Sequence, residues 1–121
     1  LSTIHLTNDL SSKQKLLYFW ASWCSNCKES LKTKLVDLKN QNVDVVTINV
    51  DEDVKRAHHY IKEEKLPFPV LRDEAKSLRQ VLKIFAVPSW AVVKKIEDKW
   101  VVEAWQTGND FTSMKKTLAL P

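Results

Sequence analysis

Within ten residues, from Phe19 to Lys28, the chain passes from an apolar aromatic run into two cysteines spaced C-x-x-C, then into helical spacing at Leu31, Leu35 and Leu38. That change of period predicts a strand ending at about Ser22 and a helix starting at Cys24. The junction carries chemistry because the thiolate is the reactive form of cysteine. A helix N-terminus offers unpaired N–H groups and partial positive charge, both of which stabilise that anion. Cys24 is read as the exposed, attacking thiol at this end and Cys27, one turn inside, as the shielded, resolving thiol.

Two other uses of a cysteine pair remain open at this point. A structural disulfide across three residues closes a very small loop and contributes only roughly 2 kcal/mol. A zinc site usually needs four ligands, and the chain has no second cysteine pair to complete one. The other candidate ligands are His5, His58 and His59. The last two are neighbours that point about 100° apart on a helix.

At 121 residues the chain fits a single domain, residues 1–121, able to bury about two-thirds of its unfolded surface. No apolar run approaches the ~20 residues of a membrane span. The N-terminus, Leu1-Ser2-Thr3-Ile4-His5, shows neither the basic nor the apolar region of a signal peptide. The net charge of +4 comes from lysines scattered among acids. That is a solvated surface, and no nucleic-acid partner is expected.

Along the chain, Thr3 to Leu6 alternates like a short strand, with His5 facing solvent, and residues 8–13 read as a loop. Leu16 to Ala21 is uninterruptedly apolar, the pattern of a strand buried on both faces. One helix is predicted from Cys24 to about Asn40, and the β-branched segment Val43 to Val50 is a second central strand. Asp51-Glu52-Asp53 then supplies an N-cap and first-turn acids to a helix with an apolar stripe at Val54, Ala57, Ile61 and Leu66. His58 and His59 on that helix are read as solvated or edge-packed. Pro67 and Pro69 force a loop into a short strand, and Asp73 caps a short helix carrying Ala75, Leu78, Val81 and Leu82. Pro88 opens an apolar strand that turns at Glu97-Asp98-Lys99 into Trp100 to Trp105. Gly108, the only glycine, marks a required backbone shape beside Asn109. Phe111, Met114 and Leu118 form a last amphipathic helix. The order is a mixed α/β sheet with helices on both faces, its early strands parallel and its final hairpin antiparallel.

These residues resemble the thioredoxin superfamily, in its TlpA/ResA-like branch of extracytoplasmic thiol–disulfide oxidoreductases. The likeness rests on Phe19-Trp20-Ala21-Ser22-Trp23-Cys24-Ser25-Asn26-Cys27-Lys28, similar to F-W-A-x-W-C-x-x-C-[KR]. Ile48 to Asp53, Leu66 to Asp73 and Val87-Pro88-Ser89 follow in the family's order, so the resemblance covers about residues 14 to 110. It implies a thioredoxin-like fold and a cis-proline at Pro88 beside the C-x-x-C pair. It also implies a substrate segment paired to the backbone of Val87, Trp23 flanking the site and Trp20 beneath it. Trp90 is read as a core residue.

The chain departs from the family pattern at several places. Tyr18 stands where cytoplasmic thioredoxins keep a buried aspartate. Ser30 stands where ResA-like proteins place an acid, with Glu29 before it. Lys32 replaces a helix-kinking proline, Lys83 and Ala86 replace glycines, and Ser25-Asn26 is an uncommon intervening pair.

The resemblance thus implies an enzyme exchanging protein disulfides through catalytic Cys24 and Cys27, with Trp23, Val87 and Pro88 receiving substrate. No metal or cofactor is expected. The partners implied are a disulfide-containing protein and an upstream thiol electron donor. The chain is read as a monomer with a membrane tether in the N-terminal region before Leu1. The compartment is the periplasm or another extracytoplasmic space, with the cytoplasm as alternative. Two further readings stand beside this one: a metal-binding or metal-delivery protein of the same fold using Cys24, Cys27 and a histidine, and an interaction module with vestigial cysteines.

Overall fold

The computed structural model describes residues 3–4, 13–73, 77–84 and 86–120. His5, the loop at 8–12, Ala75 and the side chains of Leu78 and Val81 lie outside the described residues. The elements are β1 (Thr3–Ile4), β2 (Gln14–Trp20), α1 (Ser25–Lys32), α2 (Lys34–Asn40), β3 (Val45–Asn49), α3 (Val54–Glu64), β4 (Val70–Arg72), α4 (Ser77–Leu82), β5 (Ser89–Ile96), β6 (Lys99–Thr107) and α5 (Phe111–Thr117). They form a six-stranded sheet in the order β1-β6-β5-β2-β3-β4.

The apolar run becomes the centre of that sheet. Residues 16 to 20 alternate between its two faces, yet Leu16, Leu17, Tyr18, Phe19 and Trp20 are all fully buried. Both faces are therefore covered. β2 pairs in parallel with β3 and antiparallel with β5, and β3 pairs in parallel with β4. On one face Trp20 packs against Tyr60 of α3, with ring centroids 5.4 Å apart, and Lys32 of α1 reaches Glu64 of α3 at 3.3 Å. Trp90 lies in the core at 2% exposure. The β5–β6 hairpin turns through Glu97 and Asp98, both at positive φ (49° and 68°), the pair of left-handed residues that a tight hairpin of this hand requires.

Three expectations change. The single helix predicted from Cys24 to Asn40 is two, because Thr33 leaves helical geometry at φ −122° and ψ −86°. Its hydroxyl donates back to the Glu29 carbonyl at 2.9 Å, offering the backbone a local alternative to the next helical bond. On α3, Asp53 is the N-cap, accepting from the Lys55 N–H, but no acid lies in the first turn. Asp51 folds inward instead, at 3% exposure. Val54 faces outward at 38% exposure and Leu66 falls beyond the helix end, so the buried stripe of α3 is narrower than its spacing implies.

The sheet register gathers the site. Phe19 lies opposite Ser89, Trp20 opposite Asn49 and Ser89 opposite Thr107. The segments after β2, before β5, after β3 and after β6 therefore converge at one end of the sheet.

Candidate active site

Cys24 is the N-cap of α1, with extended backbone (φ −96°, ψ 103°). Its Sγ accepts a hydrogen bond from the Cys27 N–H at 3.2 Å. This is one of the amides that a helix leaves unpaired at its start. No acidic side chain occupies the first turn to oppose a negative sulfur. Cys24 and Cys27 are joined in a disulfide. Cys27 is fully buried. Cys24 is less exposed than its terminal position suggests, at 7%, because its sulfur turns in toward the Cys27 amide and bonds to a buried partner. The aromatic before it does the reverse, with Trp23 66% exposed.

The turn into Cys24 is clamped from β3. The Cys24 N–H donates to the Ala21 carbonyl at 3.1 Å. Asp51 then accepts from the Ser22 N–H and the Asn49 side-chain amide, each at 2.7 Å, and from the Ser22 hydroxyl. Asn49 Oδ1 in turn accepts from the Asp51 N–H at 3.0 Å and from the Arg72 guanidinium. A buried carboxylate needs such donors, since desolvation without them is costly.

The Val87–Pro88 peptide bond is cis. The Ser89 hydroxyl donates to the Ala86 carbonyl, closing this loop, and the Pro88 carbonyl accepts from the Gly108 N–H at 2.7 Å. Gly108 holds φ at 101°, a conformation that side chains rarely adopt. Trp23 and Val87 share a cavity of about 570 Å³ with Val50, Arg56, Arg79 and Ile84. Its wall joins apolar groups to both guanidinium and carboxylate side chains, the latter from Asp51, Glu52 and Asp53.

Behind the cysteines, Tyr18 is wholly buried. Its hydroxyl bonds with Ser30 and donates to Asn109 Oδ1 at 2.7 Å. Burial pushes its ionisation up to about 12, more than these two bonds lower it.

All five residues singled out in the sequence, Trp23, Cys24, Cys27, Val87 and Pro88, thus lie at the same end of the sheet. His58 and His59 are exposed on α3. Among the described residues no group of three or more His, Cys, Asp or Glu side chains is placed to hold a metal, and the metal-delivery alternative finds no support. Sequence reasoning missed Asp51 and Asn109. The spacing Asn49-x-Asp51 at the end of a buried strand was one available signal, and the neighbouring lone glycine was the other.

The Redoxin family model matches residues 1–117. Thiol-disulfide oxidoreductase ResA of Oceanobacillus iheyensis is 30% identical over 96 residues, which cover 77% of this chain and 50% of that protein. Among solved structures, StoA from Bacillus subtilis superimposes with a TM-score of 0.69 at 24% identity, covering 90% of this chain and 86% of that one. The pneumococcal exposed lipoprotein thioredoxin of Streptococcus pneumoniae does so at 0.73 and 22%, covering 93% and 88%. These two likenesses show the fold. The chain spans about half the length of the curated relatives it matches. A match over nearly the whole sequence, together with the sheet order and the C-x-x-C pair at a helix start, shows that the chain belongs to the Redoxin family, as a ResA-like member of the thioredoxin superfamily.

Proposed function

We propose that the chain is a thiol–disulfide oxidoreductase acting on protein disulfides through Cys24 and Cys27. One observation carries this reading: Cys24 Sγ sits at the start of α1 and accepts the Cys27 N–H, while bonded to Cys27 as an exchange cycle requires. In the reduced form the same amide and helix end stabilise the Cys24 thiolate. That thiolate attacks one sulfur of a client disulfide. The client S–S bond breaks, its other sulfur leaves as a thiolate, and a Cys24–client disulfide forms. Cys27 then gives up its proton and attacks Cys24 Sγ. The second client sulfur leaves and the Cys24–Cys27 disulfide closes, so that the client gains two electrons and the pair loses two.

Trp23, Val87 and Pro88 receive the client segment in this reading. The exposed Trp23 ring gives it an apolar surface, and the cavity shared with Val87 takes a client side chain. An upstream thiol donor restores the reduced pair by the same two exchanges in reverse. The domain works as a monomer in an extracytoplasmic space, tethered to a membrane through sequence N-terminal to it. Similarity to an exposed lipoprotein thioredoxin supports that placement. Among the described residues no helix is long and apolar enough to cross a membrane. Replacing Cys24 with serine is expected to abolish reduction of insulin disulfides. Full activity in that variant refutes the assignment.

A further inference from the structure

The exchange chemistry above makes no use of the segment between β6 and α5, yet that segment touches both loops that form the site. Gly108 donates its N–H to the Pro88 carbonyl at 2.7 Å. The next residue, Asn109, places Nδ2 3.5 Å from the carbonyl of Asn26, inside the C-x-x-C dipeptide. Two consecutive residues thus hold one carbonyl of the proline loop and one of the cysteine loop.

The orientation of Asn109 is itself fixed from below. A carboxamide presents an acceptor on one side and donors on the other. The buried Tyr18 hydroxyl donates to Oδ1 at 2.7 Å, which turns the amide nitrogen toward Asn26. Tyr18 is in turn bonded to Ser30 of α1, and both are buried. The chain of contacts therefore runs from the central strand through Asn109 to the dipeptide between the sulfurs, with Pro88 attached one residue away.

We propose that Asn109 is a positioning residue that sets the register between the cysteine loop and the proline loop, so that the protein favours extended protein disulfides over small ones. The inference rests on the exchange reading above. A client held only at its sulfur can adjust its approach to Cys24. A client whose main chain is also held beside Val87 cannot, and a small error of register then costs rate by spoiling the line of attack.

The test compares the pre-reduced native protein with N109A and Y18F, each assayed on insulin and on the small aromatic disulfide 5,5′-dithiobis(2-nitrobenzoate). The ratio of the insulin rate to the small-disulfide rate should fall about tenfold in N109A and about threefold in Y18F, which keeps the ring and removes the hydroxyl that orients Asn109. A ratio within about twofold of native in both variants overturns the proposal, because a general loss of thiol reactivity or of folding lowers both rates together. If N109A does not fold, the ratio in Y18F decides. A native protein that reduces neither disulfide removes the exchange reading itself. A native protein that reduces both, with no change of ratio in the variants, removes only the role of Asn109.

Discussion

Toward β3 the cysteine loop rests on a buried carboxylate, whereas toward β6 it rests on neutral groups. Asp51 takes three donors at once, two of them from Ser22 in the turn that delivers Cys24. Across the site Asn109 makes one bond to Tyr18 and one long contact to Asn26. An ionised acceptor that satisfies several buried donors fixes geometry strongly, since each donor left unmet costs its own desolvation. Neutral single bonds contribute less to stability but still impose direction. The difference separates two tasks: the β3 side keeps Cys24 at the helix start, and the β6 side adjusts the loops around it.

The largest effect should come from the carboxylate side. Asp51→Ala strips partners from the Ser22 N–H, the Ser22 hydroxyl and the Asn49 amide, and should lower unfolding free energy by about 2–4 kcal/mol, read from urea denaturation. Asp51→Asn should recover part of this, because its Oδ1 can keep the Ser22 N–H and the Asn49 amide while its Nδ2 donates to the Ser22 hydroxyl oxygen. A cost below about 1 kcal/mol for Asp51→Ala would erase the contrast between the two sides.

On the neutral side the effect should surface in alkali. Burial raises the Tyr18 ionisation to about 12 in the folded chain, against about 10 unfolded. The folded state therefore keeps a proton that the unfolded state loses. This contribution is fully present below about pH 10 and falls away as pH rises toward 12, amounting to about 2–3 kcal/mol. Denaturant midpoints measured at about pH 8 and about pH 11 should diverge more in native protein than in Tyr18→Phe, which has no such proton. Equal divergence would place the alkaline loss elsewhere.

The smallest effect lies one residue on. Asp110 caps α5, accepting from the Ser113 N–H at 3.0 Å and the Ser113 hydroxyl at 2.8 Å. These bonds hold its carboxyl below the usual range. A lowered folded pKa contributes stability above the unfolded value of about 4, and that stability is lost as pH falls through the lowered one. Asp110→Ala should lower the melting temperature by a few degrees at neutral pH. At about pH 2 the two proteins should melt closer together.

Much of this arrangement is legible in the residues because it is local. The apolar run from Leu16 to Ala21 places β2 at the sheet centre, and the cysteine spacing at the change of period places Cys24 at a helix start. Pro88 and the lone Gly108 mark the two loops that come to lie beside it. What stays hidden depends on choices the sequence leaves equal. Asp51, Glu52 and Asp53 read alike as helix-start acids, and only the end of β3 decides that the first turns inward. Thr33 breaks a helix whose leucine spacing continues unbroken past it, through a side-chain bond that a periodic pattern does not register. Tyr18 and Asn109 are 91 residues apart, so their contact exists only once β2, β5 and β6 are in register.

The account stands on Cys24 as the attacking sulfur and Cys27 as the resolving one. Its most direct test is trapping: reduced Cys27→Ser and Cys24→Ser proteins are each mixed with a disulfide-bonded client and examined by non-reducing electrophoresis and intact mass. Cys27→Ser should accumulate a covalent adduct of one chain and one client, released by excess thiol, and Cys24→Ser should form none. Adducts on Cys24→Ser alone, or on neither variant, would contradict the account.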